Sequence, residues 1–133
     1  MKKKIVKTMK RLKVKQKMQD FKKLKIWQLG REFTKDIYDI TEHFPKHEFH
    51  SMTNQLRRAS YSIPSNIAEG CGKNSQKELG RYLSIVNGSI KECECFLILS
   101  KDLEYITNKE FNELNQKLEI IAKMCNKLLM KLN

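Results

Sequence analysis

The sequence lacks any long apolar run. Its longest candidate, residues 95–99, is far shorter than the roughly 18 apolar residues of a transmembrane helix. Residues 1–25 are highly charged and have no apolar stretch of the kind that marks a secretory signal peptide. With no such signal, the four cysteines are expected to be free thiols in a reducing compartment. We therefore expect a cytoplasmic protein that does not contact a membrane.

The sequence also lacks the patterns that carry catalysis. Residues 72–75 weakly resemble a phosphate-binding loop, but Ile67 stands where the first glycine is required and no strand precedes it. Cys71 is the one candidate for a reactive thiol, because a helix N-terminus follows it and would activate it. Its possible histidine partners lie about a helix length away. We therefore expect no enzymatic activity and no cofactor.

Metal-ligand spacing is missing as well. The three histidines are close in sequence, but Pro45 interrupts the helical spacing between the first two. Cys93 and Cys95 lie about 200° apart on a helix, so they cannot bind one ion together. Cys93 and Cys125 fall on apolar stripes, which is typical of small core residues. The sequence therefore predicts no metal site.

Acidic residues are nearly absent from the N-terminal segment. Residues 1–25 carry 12 Lys or Arg and one acid, whereas residues 26–133 carry 15 Lys or Arg and 14 acids. Of the net charge of +12, +11 therefore lies in the first 25 residues. Such arms bind nucleic acid or acidic membranes, or stay disordered. We predict a disordered basic arm over residues 1–19, whose candidate nucleic-acid-binding residues are Lys10, Arg11 and Lys13.

Apolar residues spaced three and four apart predict four helices and an all-α fold. The helices are expected over about residues 20–43, 46–69, 75–102 and 107–132, with capping boxes opening the third and fourth. Their matched lengths and short connections favour an up-down-up-down antiparallel four-helix bundle over residues 20–133. Gly70 and Gly72 are expected to end helix two in the left-handed conformation. The apolar stripe of helix two is predicted to comprise Phe49, Met52, Leu56, Ala59, Ile63 and Ile67.

Helix two carries a narrow polar stripe beside its apolar one. The stripe consists of Gln55, Arg58, Ser62, Asn66 and Glu69. Few of these residues are typical of a solvated face, so we predict a hydrogen-bonded seam against another helix or subunit, and assign the stripe to an oligomer interface. Pro64 lies inside the helix and predicts a kink, because it removes one backbone hydrogen bond. Gly88 and Ser89 predict a close approach of another helix to helix three.

Basic residues outside the arm are candidates for phosphate contact. Arg57 is expected to point away from the core, where it is free to meet phosphate, although a structural ion pair is the simpler explanation. Lys73, Lys77 and Arg81 form a row at helical spacing, a pattern that is also common on solvated helices. Trp27 and Tyr38 are expected to pack beside the first core stripe.

The run Q-L-R-R-A-S-Y-S-I-P-S-N-I-A-E-G, followed by R-Y-L-S-I-V-N-G-S and Glu92, resembles the family named after the 23S rRNA intervening-sequence protein. L-x-x-W at Leu24 and F-P-K-x-E at Phe44 match the family pattern as well, so the resemblance covers Phe21 to about Ile106. It implies a four-helix bundle and a homopentamer, but no settled activity. Related accessory proteins of diversity-generating retroelements bind a reverse transcriptase and nucleic acid, so RNA or a nucleic-acid enzyme is an expected partner.

Two questions stay open at this stage. Members of the resembled family commonly start at the position of Met18, so residues 1–17 are either a genuine basic arm or an untranslated upstream extension. The protein is either a non-enzymatic homo-oligomer that binds RNA or another nucleic acid, or a protein-interaction scaffold without nucleic-acid contact. The charge of the arm and the basic residues favour the first hypothesis.

Overall fold

The computed structural model describes residues 2–6, 9 and 20–132, and within these ranges the predicted all-α fold is confirmed. A 3-10 turn at Phe21–Lys23 precedes α1 (Lys25–Thr41), and a 3-10 turn at Lys46–Glu48 with a π-helical turn at Phe49–Thr53 leads into α2 (Asn54–Cys71). Two longer helices complete the fold, α3 (Gln76–Asp102) and α4 (Asn108–Leu132). Residues 2–6 and 9 are helical and exposed.

Both predicted capping boxes contribute to the start of a helix. The Ser75 hydroxyl accepts a hydrogen bond from the backbone N–H of Glu78 at 3.1 Å, at the start of α3. At α4 the exchange is reciprocal, because the Glu110 carboxylate accepts from the Thr107 N–H at 2.8 Å and the Thr107 hydroxyl accepts from the Glu110 N–H at 3.1 Å. These bonds satisfy N–H groups that have no partner within the helix.

The predicted left-handed glycine at the end of α2 was wrong. The backbone N–H of Gly72 bonds to the Glu69 carbonyl at 3.1 Å and its φ is −83°, so the chain stays right-handed as it leaves the helix. The left-handed residue among those described follows α3 instead, at Glu104 with φ of 63°. There the N–H of Tyr105 bonds to the Ser100 carbonyl at 2.9 Å, as in a Schellman motif.

The first two helices start later than predicted. Leu24 is extended, with ψ of 128°, so α1 begins at Lys25 rather than near residue 20. The π-helical turn before Asn54 is wider than an α-helical turn and rotates the preceding residues away from the stripe of α2. Phe49, which was predicted to be buried, is therefore 56% exposed, while Thr53 is buried.

The four helices share one core. α1 and α3 each pack on both α2 and α4. Contacts between consecutive helices run in opposite directions, as in the pairing of Ser62 with Ser89 and of Glu69 with Tyr82 between α2 and α3. The most deeply buried large side chains are Phe33, Ile37, Leu56, Ile63, Ile67, Leu79, Leu83, Val86, Leu97, Leu118 and Ile121. Most of these lie on the stripes that spacing predicts.

Glycine permits a close approach of α2 and α3, but at a different glycine from the predicted one. A Cβ on Gly88 would meet no described atom within 4 Å, whereas the neighbouring Ser89 does contact α2, with its hydroxyl 2.7 Å from that of Ser62. A Cβ on Gly70 would lie 2.9 Å from the Tyr82 Cβ. Gly70 is therefore required for packing against α3, and Gly88 lies on an exposed face.

α2 continues through Pro64 without a break. The side of α2 that carries the proline ring packs against α1 at Gly30, where a Cβ would lie 3.6 Å from the Pro64 Cδ. The ring is thus accommodated by a residue that has no side chain. The predicted kink at Pro64 stays a prediction.

Candidate nucleic-acid and subunit interfaces

Two residues of the predicted polar stripe, Ser62 and Glu69, contact α3 of the same chain, and Asn66 bonds to Ser62 within α2. The hydroxyls of Ser62 and Ser89 lie 2.7 Å apart, and the Asn66 amide donates to the Ser62 carbonyl at 2.7 Å and to its hydroxyl at 2.9 Å. The Tyr82 hydroxyl donates to the Glu69 carboxylate at 3.4 Å. The predicted hydrogen-bonded seam exists here as an intrachain contact between two helices.

The other two residues of the stripe, Gln55 and Arg58, are exposed. Within residues 20–132 neither makes a hydrogen bond or an ion pair through its side chain. Arg58 also does not pair with Glu69. The stripe therefore divides into residues that bond within the chain and the exposed Gln55 and Arg58, while Glu69 is exposed although it bonds to Tyr82. Its assignment to an oligomer interface stays a prediction.

Of the two alternatives for Arg57, the structure shows the structural ion pair rather than a free side chain, and contact of Arg57 with nucleic acid stays a prediction. Its guanidinium Nε donates to the Thr41 hydroxyl at 2.8 Å, and a terminal nitrogen lies 3.3 Å from the Glu42 carboxylate. The guanidinium carbon also lies 4.7 Å from the centre of the Tyr38 ring, over its face. Tyr38 is 39% exposed rather than packed in the core, because it supports this arginine. Arg57 links α1 to α2.

The predicted basic row at the start of α3 is present but partly engaged. The Lys73 ammonium lies 5.3 Å from the Tyr82 ring centre, and the Arg81 guanidinium lies 3.7 Å from the Glu78 carboxylate. Lys77 is exposed. Exposed ion pairs of this kind contribute little stability and exchange readily. The row is therefore compatible with phosphate contact, but the carboxylate of Glu78 weakens its field.

The predicted contacts of the arm cannot be placed, because Lys10, Arg11 and Lys13 lie outside the described residues. The exposed residues 2–6 of the arm include three consecutive lysines. The predicted disorder of residues 1–19 stays a prediction.

The exposure of the cysteines does not follow the order of reactivity that the sequence predicts. Cys71, the predicted reactive thiol, is only 2% exposed at the end of α2, and Cys95 is the exposed cysteine. Burial, with a smaller contribution from Glu92, raises the pKa of Cys93 to about 12, and burial raises the pKa of Cys125 to about 11. Cys93 and Cys125 are core residues, as predicted. No three metal-ligating side chains cluster among the described residues.

A groove between α1 and α4 is acidic. Its volume is about 560 Å³, and carboxylates line it from both helices, including Asp36 and Asp39 on α1 and Glu110 and Glu113 on α4. Lys117 forms an ion pair with Asp36 across it. Among the described residues, three of these carboxylates have no cation partner, so the groove is unfavourable for phosphate.

A second groove, which the sequence reasoning missed, combines basic and aromatic side chains. It lies at the start of α1, has a volume of about 510 Å³, and is lined by Lys22, Trp27, Gln28, Arg31, Glu32 and Lys35. The available signal was the i, i+4, i+8 spacing of Trp27, Arg31 and Lys35, which places one aromatic and two cationic residues on one helix face.

The described residues form an all-helical protein with exposed basic and aromatic side chains and polar contacts between its helices. None of the helices in the described part of the chain is both long and apolar enough to cross a membrane. The family model of the 23S rRNA-intervening sequence protein matches residues 22–127. The chain therefore belongs to the 23S rRNA-intervening sequence protein family. A search of curated proteins finds no match.

Proposed function

We propose that the protein is a non-enzymatic homo-oligomer that binds RNA through basic residues and acts in the cytoplasm. The observation that carries this proposal is the separation of charge along the chain, with +11 in residues 1–25 and +1 in residues 26–133. A nearly neutral helical domain with one strongly basic segment suits electrostatic attachment to a polyanion. The proposal assigns no catalytic role to any residue.

The proposed architecture is an up-down-up-down four-helix bundle with a kink in α2 at Pro64. Two observations support it: each long helix packs on two others, and contacts between consecutive helices run in opposite directions. The missing N–H of proline gives a physical reason for the kink.

The proposed oligomer is a pentamer, the state that the family resemblance implies. One exposed face of α3 suits a subunit contact, because Ile85, Gly88, Cys95 and Leu99 lie within about 80° of one another around the helix. Ile85 is 45% exposed and Leu99 is 40% exposed. Gly88 would allow a neighbouring subunit to approach closely here, and the unpaired Arg58 would contribute polar contacts.

The test compares the full-length chain with a chain that starts at Met18, using a fluorescein-labelled single-stranded RNA at several salt concentrations. Each neutralised phosphate of a single strand contributes about 0.7 to the slope of log K against log salt. An arm that engages about six phosphates gives a slope of roughly −4. We expect the truncated chain to show a flatter slope and weaker binding, because it loses nine cations and keeps Lys22, Lys23 and Lys25.

Two other outcomes are informative. If binding survives truncation but is lost in the double variant Lys77→Gln, Arg81→Gln, the main RNA surface lies on α3. No binding by either chain would favour the second candidate function, a protein-interaction scaffold. That candidate is supported by the exposed apolar side chains of the helical domain, such as Tyr61 at 46% exposure.

A further inference from the structure

In the groove at the start of α1, contacts with neighbouring residues hold the Trp27 ring in place. The edge of the Phe21 ring packs on the Trp27 ring, with centroids 5.1 Å apart and planes at 67°. The Gln28 side-chain amide donates to the Lys22 carbonyl at 3.0 Å, which holds the preceding 3-10 turn against the helix. These contacts orient Trp27, which is half-buried, without enclosing it.

In the described part of the chain, the cations around Trp27 have no carboxylate partners. Lys22, Arg31 and Lys35 make no ion pair within residues 20–132, whereas the neighbouring Lys23 pairs with Asp20 at 3.6 Å. Glu32 is the one carboxylate that lines the groove, so its lining carries a net positive charge. The Arg31 guanidinium lies 5.6 Å from the Trp27 ring centre. The groove therefore offers a stacking surface with unneutralised cations on its rim.

We propose that this groove is a subsite for single-stranded RNA, in which an unpaired base stacks on Trp27 while Arg31 and Lys35 contact the flanking phosphates. An aromatic ring beside unpaired cations is suited to single-stranded nucleic acid, because every base has a face that can stack. A duplex keeps its bases stacked on one another and offers no such face. In the sequence, the nine cations of residues 1–17 precede Lys22 by a few residues, so the arm and the groove residues belong to one basic tract of the chain.

This proposal rests on the proposed RNA-binding function and gives it a defined site. Trp27 is the single tryptophan of the chain, so its fluorescence reports on the groove alone. The experiment titrates the full-length protein with an unlabelled 12-nucleotide oligouridine and follows tryptophan emission. In parallel, fluorescence polarisation of a fluorescein-labelled oligouridine of the same length measures affinity. A hairpin RNA of equal length serves as the paired competitor.

We expect oligouridine to quench the emission and the hairpin to quench it far less. Trp27→Leu should weaken binding by about tenfold, the contribution of one stacked base, and Trp27→Phe should lose less. Because a substitution at Trp27 can disturb packing against Phe21, the exposed double variant Arg31→Gln, Lys35→Gln provides a second test. Its matched control is Lys123→Gln, Lys127→Gln on exposed positions of α4, which removes the same charge at a distance from the groove.

Each outcome decides the proposal. Quenching together with a loss of affinity in the Arg31, Lys35 variant that exceeds the loss in the α4 control supports it. Binding without quenching, or equal losses of affinity in the two double variants, would show that the groove is not the RNA subsite. The proposed RNA-binding function would still stand. No binding by the full-length protein would overturn both.

Discussion

The Thr34 hydroxyl lies 3.0 Å from the backbone carbonyl oxygen of Ser60, across the contact between α1 and α2. Ser60 lies four residues before Pro64, so its carbonyl is the acceptor that the missing N–H of proline leaves without a helical donor. Ser60 is completely buried, where an unpaired carbonyl would be costly. The same hydroxyl lies 2.9 Å from the Gly30 carbonyl of its own helix, so its single proton is shared between two acceptors. Thr34 thus supplies from α1 a shared hydrogen bond to the carbonyl that α2 leaves without a donor.

Replacement of Thr34 by valine tests this relationship. Thr34→Val keeps the shape of the side chain and removes the donor, so the free energy of unfolding should fall by about 1–2 kcal/mol. In a Pro64→Ala background the same substitution should cost much less, because the N–H of the alanine can bond to the Ser60 carbonyl. Urea denaturation of the four proteins of this double-mutant cycle measures the coupling. Equal costs in both backgrounds would show that Thr34 does not compensate for the proline.

Substitution by alanine should have opposite effects on stability at Gly70 and Gly80, because only Gly70 lies at the close approach of α2 and α3. Gly70→Ala places a Cβ 2.9 Å from the Tyr82 Cβ, so we expect a loss of about 1–3 kcal/mol in the free energy of unfolding. Gly80→Ala meets no described atom within 4 Å and should stabilise its helix by up to about 1 kcal/mol. Thermal unfolding followed by circular dichroism compares the two. A neutral Gly70→Ala would mean that the helices separate at little cost.

Local spacing was sufficient to predict the core but not the polar contacts. Leu56, Ile63 and Ile67 are fully buried as their spacing requires, because burial of a helix face depends on residues three and four apart. Phe49 was placed wrongly because a π-helical turn shifts its phase, and no residue in that segment signals such a turn.

Long-range partners lie beyond such reasoning. The sequence predicts that Ser62 lies in a hydrogen-bonded seam, but not that the partner is Ser89, which depends on the register of α2 against α3. The sequence likewise allowed a structural pair for Arg57 but could not name its partners, since its acceptor Thr41 belongs to the preceding helix. The groove at Trp27 was missed because half-burial of an aromatic residue depends on how the preceding turn folds back.

Thiol reactivity should separate one cysteine from the other three. Cys95 is exposed, whereas Cys71, Cys93 and Cys125 are buried. We expect Ellman's reagent at pH 8 to modify about one thiol per native chain rapidly, and all four after unfolding in urea. Cys95→Ser should abolish the rapid phase. A rapid phase that persists in this variant would indicate that α2 or α3 opens readily in solution.

The raised pKa values predict how stability depends on alkaline pH. Unfolded thiols ionise near pH 9.0, but burial raises the pKa of Cys93 to about 12 in the folded protein. Between these values the unfolded state has released a proton that the folded state retains, so the contribution of Cys93 is complete below pH 9 and is lost as the pH rises toward 12. Cys93→Ala should therefore flatten the fall in the free energy of unfolding above pH 9, which urea denaturation at several pH values measures.

The division of the polar stripe predicts that folding and assembly can be disturbed separately. Ser62→Ala leaves the Ser89 hydroxyl without its partner between α2 and α3, so it should lower the free energy of unfolding by about 1 kcal/mol with little change in oligomer mass. Arg58→Ala alters an exposed side chain with no partner in the described chain, so it should leave folding unchanged and weaken the proposed oligomer.

Light scattering after size exclusion, at several micromolar concentrations, measures the mass of each variant. Arg57→Ala is the matched control for Arg58→Ala, because it removes the same charge from the neighbouring position and breaks an intrachain link to Thr41. We expect it to lower stability by about 1–2 kcal/mol and to leave the subunit number intact. A monomeric parent protein would overturn the proposed oligomer. Loss of assembly in Arg57→Ala but not in Arg58→Ala would place the subunit contact on the α1 side of α2.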